Sequence, residues 1–167
     1  SETYPMGTDN LGRCVLSRVL YGTRITIVVG VVAVAIAMSL GTALGLLAGY
    51  YKGRVDAVIS AVTDAVWSFP TIILALAITT ALGPGLTNVL IAIGIVFTPA
   101  FARVVRAMVL SVREMEYVQG ARAIGLSDAR IILRYILPNV VPVIIIQASL
   151  NAAQAIISEA SLSFLGL

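Results

Sequence analysis

The stretch ITIVVGVVAVAIAMSLGTALGLLAGYY, Ile25 to Tyr51, runs for 27 residues without a charge. A helix crosses a hydrocarbon core of about 30 Å with about 20 mostly apolar residues, because every backbone amide must find its partner inside the segment. This stretch therefore reads as a membrane span, and Lys52, Arg54 and Asp56 close it at a water-facing boundary. Working outward, Val58 to Leu82 reads as a second span, with one acid at Asp64 and a kink candidate at Pro70. The uncharged stretch from Ala65 to Ala102 is too long for one crossing, and Gly83-Pro84-Gly85 supplies the turn that divides it. Leu86 to Ala102 is then the third span. Tyr135 to Ser158 is the fourth, uncharged throughout, with Pro138 and Pro142 near its start and Glu159 directly after it. The expected fold is an all-α, polytopic integral membrane protein: a helical bundle over residues 25–167, preceded by a separate segment over residues 1–24.

Composition agrees. The 167 residues are 59% hydrophobic and 11% charged, and the mean hydropathy is +1.02, against roughly 45 to 50% apolar usage in soluble domains. Eight acids and eleven bases cannot cover the surface of a soluble domain of this length. A net charge of +3 and a pI near 9.4 fit nucleic-acid binding in principle. The basic residues, however, lie in short segments between apolar runs, where they set membrane orientation. A single cysteine, Cys14, excludes an intrachain disulfide, and the absence of histidine removes the commonest metal ligand and general base. The chain begins at Ser1 with no cleavable signal pattern and ends on Ser163-Phe164-Leu165-Gly166-Leu167 without a polar tail, so it reads as an excerpt.

Orientation follows from the loops. Lys52, Arg54, Arg103, Arg106, Arg113, Arg122, Arg130 and Arg134 fall on one side, and Arg13, Arg18 and Arg24 on the other. The basic side is cytoplasmic by the positive-inside rule. Ahead of the first span, Leu11, Val15, Leu16, Val19 and Leu20 share half of a helical wheel opposite Arg13, Ser17 and Arg18, the pattern of a helix lying in the membrane interface. The plainer reading makes it a lead-in that extends the first span. Within that span Gly41, Gly45 and Gly49 recur every fourth residue, a face suited to close packing of another helix.

The only long polar segment, about 103–134, reads as helix, break, helix. Arg113 to Ile124 is helix-compatible and ends at Gly125, which can adopt the left-handed conformation at a helix C-terminus. Ser127 can cap a second helix from Asp128 to Ile136 that continues toward Pro138. Such a helix-turn-helix is arginine-rich enough to suggest DNA binding, but membrane spans flank both ends too tightly for that geometry. A short cytoplasmic helix instead offers a peg for a soluble partner; an ordinary charged loop is the bland alternative.

The run Tyr117-Val118-Gln119-Gly120-Ala121-Arg122-Ala123-Ile124-Gly125, followed by Leu137-Pro138, resembles the "EAA" loop of ABC importer permeases. Ala121 and Gly125 match that family's pattern. Gln119 and Gly120 replace its Glu and first Ala, and Tyr135 stands at its usual Ile. Gly7-Thr8-Asp9-Asn10-Leu11-Gly12-Arg13, Val15-Leu16-Ser17-Arg18 and Tyr21-Gly22-Thr23-Arg24 resemble the segment before the second span in the peptide and nickel branch, with Cys14 where that branch often has Asp. Gly53-Arg54-Val55-Asp56 and Ser161-Leu162-Ser163-Phe164-Leu165-Gly166 are similar to the same branch.

The resemblance implies a permease subunit, second of its pair and lacking its first and last spans, in the cytoplasmic (inner) membrane of a bacterium or archaeon. Its implied partners are a second permease subunit, two ATP-binding subunits that hold the ATP and magnesium, and an extracytoplasmic substrate-binding protein. Tyr117, Val118, Gln119, Gly120, Ala121, Arg122, Gly125 and Leu126 would form the coupling helix and turn that dock on an ATP-binding subunit. Short peptides are the expected cargo, with nickel or a nickel chelate as the alternative. Asp64 reads either as a pathway residue or as an interhelix group two to three turns from Arg54, and Glu159 as a boundary or interhelix group. No nucleophile and base pair, phosphate-cradling loop or metal cluster is legible, so the chain itself is expected to catalyse nothing and to bind no cofactor. A gradient-driven secondary transporter or channel, using Asp64 or Glu159, is the reading from another class.

Overall fold

The computed structural model describes residues 6–164. Residues 1–5 of the expected leading segment and residues 165–167 of the expected ending lie outside the described residues. Among the described residues the chain is built from helices, and the first of them, α1, runs unbroken from Val15 to Tyr51. At 1.5 Å per residue its 37 residues span about 55 Å, well beyond the hydrocarbon core. The residues expected as a separate interfacial helix are thus the opening turns of the span itself. No proline interrupts them, and Thr23 and Thr26 return their hydroxyls to the carbonyls of Val19 and Gly22. Before α1 a tight turn is gathered by Asp9, whose carboxylate accepts the amides of Leu11 and Arg13 and pairs with the guanidinium groups of Arg13 and Arg18.

Helix α2 (Gly53–Trp67) follows after Lys52 alone. Lys52 turns the chain at φ 54°, ψ −165°, a region that is nearly glycine's own and strained for a side chain by about 1–3 kcal/mol. The expected second span, 58–82, is not one helix. It comprises α2 and α3 (Thr71–Leu82), which meet at 94°. Pro70 is the cause: it has no amide to donate to Val66 and it disfavours a helical Phe69.

Helix α4 (Leu86–Val112) runs ten residues past the expected third span, so the arginines counted as loop residues at 103 and 106 ride on its last turns. It lies parallel to α1 along a glycine seam. A Cβ on Gly41 would stand 2.5 Å from Phe101 Cβ, one on Gly45 2.7 Å from Val105 Cβ, and one on Gly49 2.7 Å from Val109 Cβ. From the other side, Gly94 admits Ile36, whose Cγ2 would lie 2.7 Å from its Cβ. The regular four-residue glycine spacing therefore produces the close packing expected of it, and Val105, Phe101 and Val109 are wholly buried there.

The connector holds α5 (Glu116–Ala123) and α6 (Asp128–Ile131). Ser127 occupies the N-cap position but makes no side-chain capping bond, unlike the expected cap. From Ile132 to Ile136 the helix widens into a π turn before α7 (Leu137–Phe164), which is longer than the expected 135–158 span and packs antiparallel to α1. Pro138 explains the widening, since it cannot bond the carbonyl four residues back, and Leu137 donates to Ile132 five residues back instead. The lengths and apolarity of α1, α4 and the α6–α7 run suit three membrane spans, with the bent α2–α3 pair as a fourth broken one.

Candidate functional site

The basic end of the bundle brings together the C-terminus of α1, the start of α2, the end of α4, and α5 and α6. Local sequence dictates α5. Glu116 lies in its first turn and Arg122 in its last, each complementing the helix dipole. Gly125 closes it at φ 80°: the amide of Leu126 donates to Ala121 and that of Gly125 to Arg122, at 3.2 and 2.9 Å, the paired bonds of a Schellman turn.

The eight residues expected to dock on a partner divide by face. Val118 and Ala121 are buried in the chain's own core, and Leu126 is half-buried against it. Val118 and Ala121 are therefore turned away from any outside groove, a correction to their expected contact roles, because the i, i+3 spacing of the two apolar residues anchors the helix inward. Tyr117, Gln119, Gly120 and Gly125 are exposed. A Cβ on Gly120 would meet nothing within 4 Å, so close approach from outside is open there. Gln119, standing where the resembled family has Glu, turns its amide back to the Glu114 carbonyl at 2.9 Å. The exposed face also includes Ile124, 75% exposed, and Met115, neither of which stood among the expected site residues. The signal was present: residues 117, 120 and 124 share one helical face, beside the strip that holds the buried pair.

What holds this helix is a set of contacts invisible to local patterns. Tyr50, at the end of α1, donates its hydroxyl to Asp128 Oδ1 at 2.7 Å, and the Arg122 guanidinium lies 4.8 Å from the centre of its ring. Arg113 donates to the carbonyls of Gly49 and Tyr50, satisfying groups that the helix end leaves free. Lys52 reaches Glu114 at 3.0 Å, and this hydrogen bond from an ammonium holds the Glu114 carboxyl below the usual glutamate range. Arg106 grips Asp56 with two hydrogen bonds, one of 2.6 Å between Nη2 and Oδ2, tying α4 to α2. The α5 peg is thus fixed to α1 through Tyr50 and Arg122.

Asp64 is bonded by Arg103 Nη2 at 2.8 Å, and Arg103 also stacks on Trp67 at 4.9 Å. Its partner is therefore an α4 arginine rather than Arg54. Glu159 is half-buried on α7, far from this end.

Residues 41–167 match the family described as binding-protein-dependent transport system inner membrane component. The dipeptide transport system permease protein DppC of Alkalihalophilus pseudofirmus is 48% identical over 167 residues, which is 100% of this chain and 55% of the relative. The glutathione transport system permease protein GsiD of Escherichia coli O1:K1 / APEC is 47% identical over 161 residues, 96% of this chain and 53% of the relative. The chain spans about half the length of the curated relatives it matches. Among solved structures, one described as the crystal structure of an amino acid ABC transporter with histidines aligns with a TM-score of 0.63 at 20% identity, covering 91% of this chain and 76% of that one. At that identity the likeness is one of fold.

Proposed function

The chain belongs to the family of binding-protein-dependent transport system inner membrane components, and on that premise we propose that it is the membrane-spanning permease portion of an ATP-driven importer of short peptides. The observation that carries this reading is the placement of α5. A short helix stands at the basic end of the bundle with Tyr117, Gly120 and Ile124 outward, while Val118, Ala121 and the Tyr50–Arg122 contact fasten it to the spans. A soluble subunit that moves this helix moves α1 with it. In the proposed cycle, two ATP-binding subunits holding ATP and magnesium close against this helix and its counterpart on a second permease subunit. The spans then rearrange as bodies and expose the solute alternately to each side. An extracytoplasmic binding protein delivers the solute, and the setting is a bacterial or archaeal inner membrane. Hydrolysis belongs to the partner subunits. The names of the relatives, one for dipeptide and one for glutathione, favour peptides as cargo.

The test is ATP-dependent uptake of a labelled dipeptide and of labelled nickel, with and without chelator, in vesicles containing the full transporter and its binding protein. Uptake of the dipeptide alone is expected. Nickel uptake alone would move the chain to metal import, and uptake of either solute without the ATP-binding subunits would overturn the mechanism.

A further inference from the structure

Where α2 breaks from α3, a cavity of about 480 Å³ opens against the middle of α7. One of its walls is a polar stripe. Gln147, Asn151, Gln154 and Ser158 lie four, three and four residues apart and so line a single face of α7. The opposite wall is formed by the broken segment, with Trp67 and Pro70, and by Phe97 of α4. None of the lining residues carries a charge. Asn151 and Ser158 are each only 6% exposed. The Asn151 amide donates to the Gln147 carbonyl at 3.0 Å. Its own oxygen and the Ser158 hydroxyl have no partner among the described residues, and both residues line the cavity.

The break supplies an independent reason for a polar space here. Thr71 and Ile72 begin α3, and the first amides of a helix have no partner inside it. At membrane depth, irregular backbone survives only where it meets protein or lines a water-filled cavity. The break lines this cavity, where its first amides can reach water, and the α7 stripe faces the same space.

We propose that this cavity receives the solute part-way across and that the α7 stripe takes up its peptide groups. A primary carboxamide both donates and accepts, as a peptide bond does, so Gln147, Asn151 and Gln154 can satisfy an amide backbone stripped of water. The aromatic and aliphatic opposite wall accepts side chains of varied shape without demanding a charge. An uncharged wall offers a bare divalent cation neutral oxygens but no carboxylate to balance its charge. The assignment rests on the peptide-import reading above.

The test uses the complete transporter with its binding protein in vesicles, and labelled alanyl-alanine as the probe. In a Cys14→Ser background, Gln154→Cys and Ser149→Cys are exposed to a membrane-impermeant thiol reagent, read on this chain. Alanyl-alanine with ATP and binding protein is expected to slow labelling at 154 at least five-fold, while position 149, on the opposite face of α7 and away from the cavity, stays unlabelled with or without solute. Labelling at 154 that is blocked without solute would assign the stripe to a neighbouring subunit and overturn the proposal, as would labelling indifferent to solute. In parallel, combining Gln147→Leu with Gln154→Leu is expected to lower uptake at least ten-fold, and Gln154→Asn, which keeps the amide, to retain more uptake than Gln154→Leu. Uptake at the wild-type rate in the double variant overturns the site while leaving peptide import standing. Failure of the wild type to take up alanyl-alanine overturns the reading beneath it.

Discussion

Replacing Gly45 by alanine should weaken the bundle, although the same replacement at Gly22, on the same helix, should strengthen it. At Gly45 the added Cβ would stand 2.7 Å from the Ala102 carbonyl oxygen and 2.7 Å from Val105 Cβ. Carbon atoms settle at roughly 3.5 Å or more, so α1 and α4 must part by somewhat under 1 Å. Both obstacles are fixed to the α4 backbone, and no rotamer change relieves them. Overpacking of this kind costs about 1–3 kcal/mol, against a gain of about 1 kcal/mol from alanine's higher helix propensity. The net expectation is a loss of up to about 2 kcal/mol. In lipid no hydrophobic force draws helices together, so the forfeited van der Waals contact is not recovered elsewhere. At Gly22 a Cβ meets nothing within 4 Å, and the propensity gain of about 1 kcal/mol stands alone. Thermal unfolding of the full-length protein in detergent, with each variant measured beside the wild type, should rank Gly22→Ala highest and Gly45→Ala lowest. A Gly45→Ala protein at least as stable as Gly22→Ala would refute the seam.

Gly125→Leu should reduce solute uptake per ATP hydrolysed in the reconstituted transporter. Space is open at Gly125, but a side chain at φ 80° is strained by about 1–2 kcal/mol, and the turn that presents α5 loosens; a wild-type ratio of uptake to hydrolysis would count against docking through this helix. Asp56→Asn should destabilise the fold more than Asp64→Asn. The Asp56 side chain is 17% exposed and doubly bonded by Arg106, whereas Asp64 is 64% exposed and held by one bond from Arg103; unfolding midpoints of the two variants would decide. The turn before α1 should respond to acid. The amide of Arg13, with the amide of Leu11 and the guanidinium groups of Arg18 and Arg13, pulls the Asp9 carboxyl from its ordinary 3.8 down to about 2. Because the folded value is the lower one, the turn's contribution is complete above the unfolded value and lost as pH falls from about 4 to about 2. A carbon-13 titration of Asp9 with its midpoint near 4 would contradict the turn.

The difference between what hydropathy discloses and what the bundle does is clearest at α4. By hydropathy Arg103 marks the end of a span, because charge marks where lipid gives way to water. The helix nevertheless continues to Val112, since Arg103 and Arg106 find Asp64 and Asp56 on α2 and the backbone has no reason to stop. Charge reports the solvent, whereas helix ends are set by backbone chemistry, and where that chemistry is local it was legible: Gly125 closes α5, Pro70 breaks the second segment, and the glycines of α1 seat α4. Partners distant in sequence were not legible. Nothing in the periodicity of α1 says that Tyr50 meets Asp128, 78 residues later. The residues proposed for coupling carry a motif, but which of them face outward follows only from what buries Val118 and Ala121. The α7 stripe is the converse case. Its spacing was plain in the sequence, yet it sat inside a span judged by its lack of charge. A side chain that hydrogen-bonds without ionising passes that filter, although a carboxamide in lipid needs a partner almost as much as a charge does. Uncharged polar residues at helical spacing within a span therefore point to a pathway wherever, as here, they face a helix whose backbone is broken at the same depth.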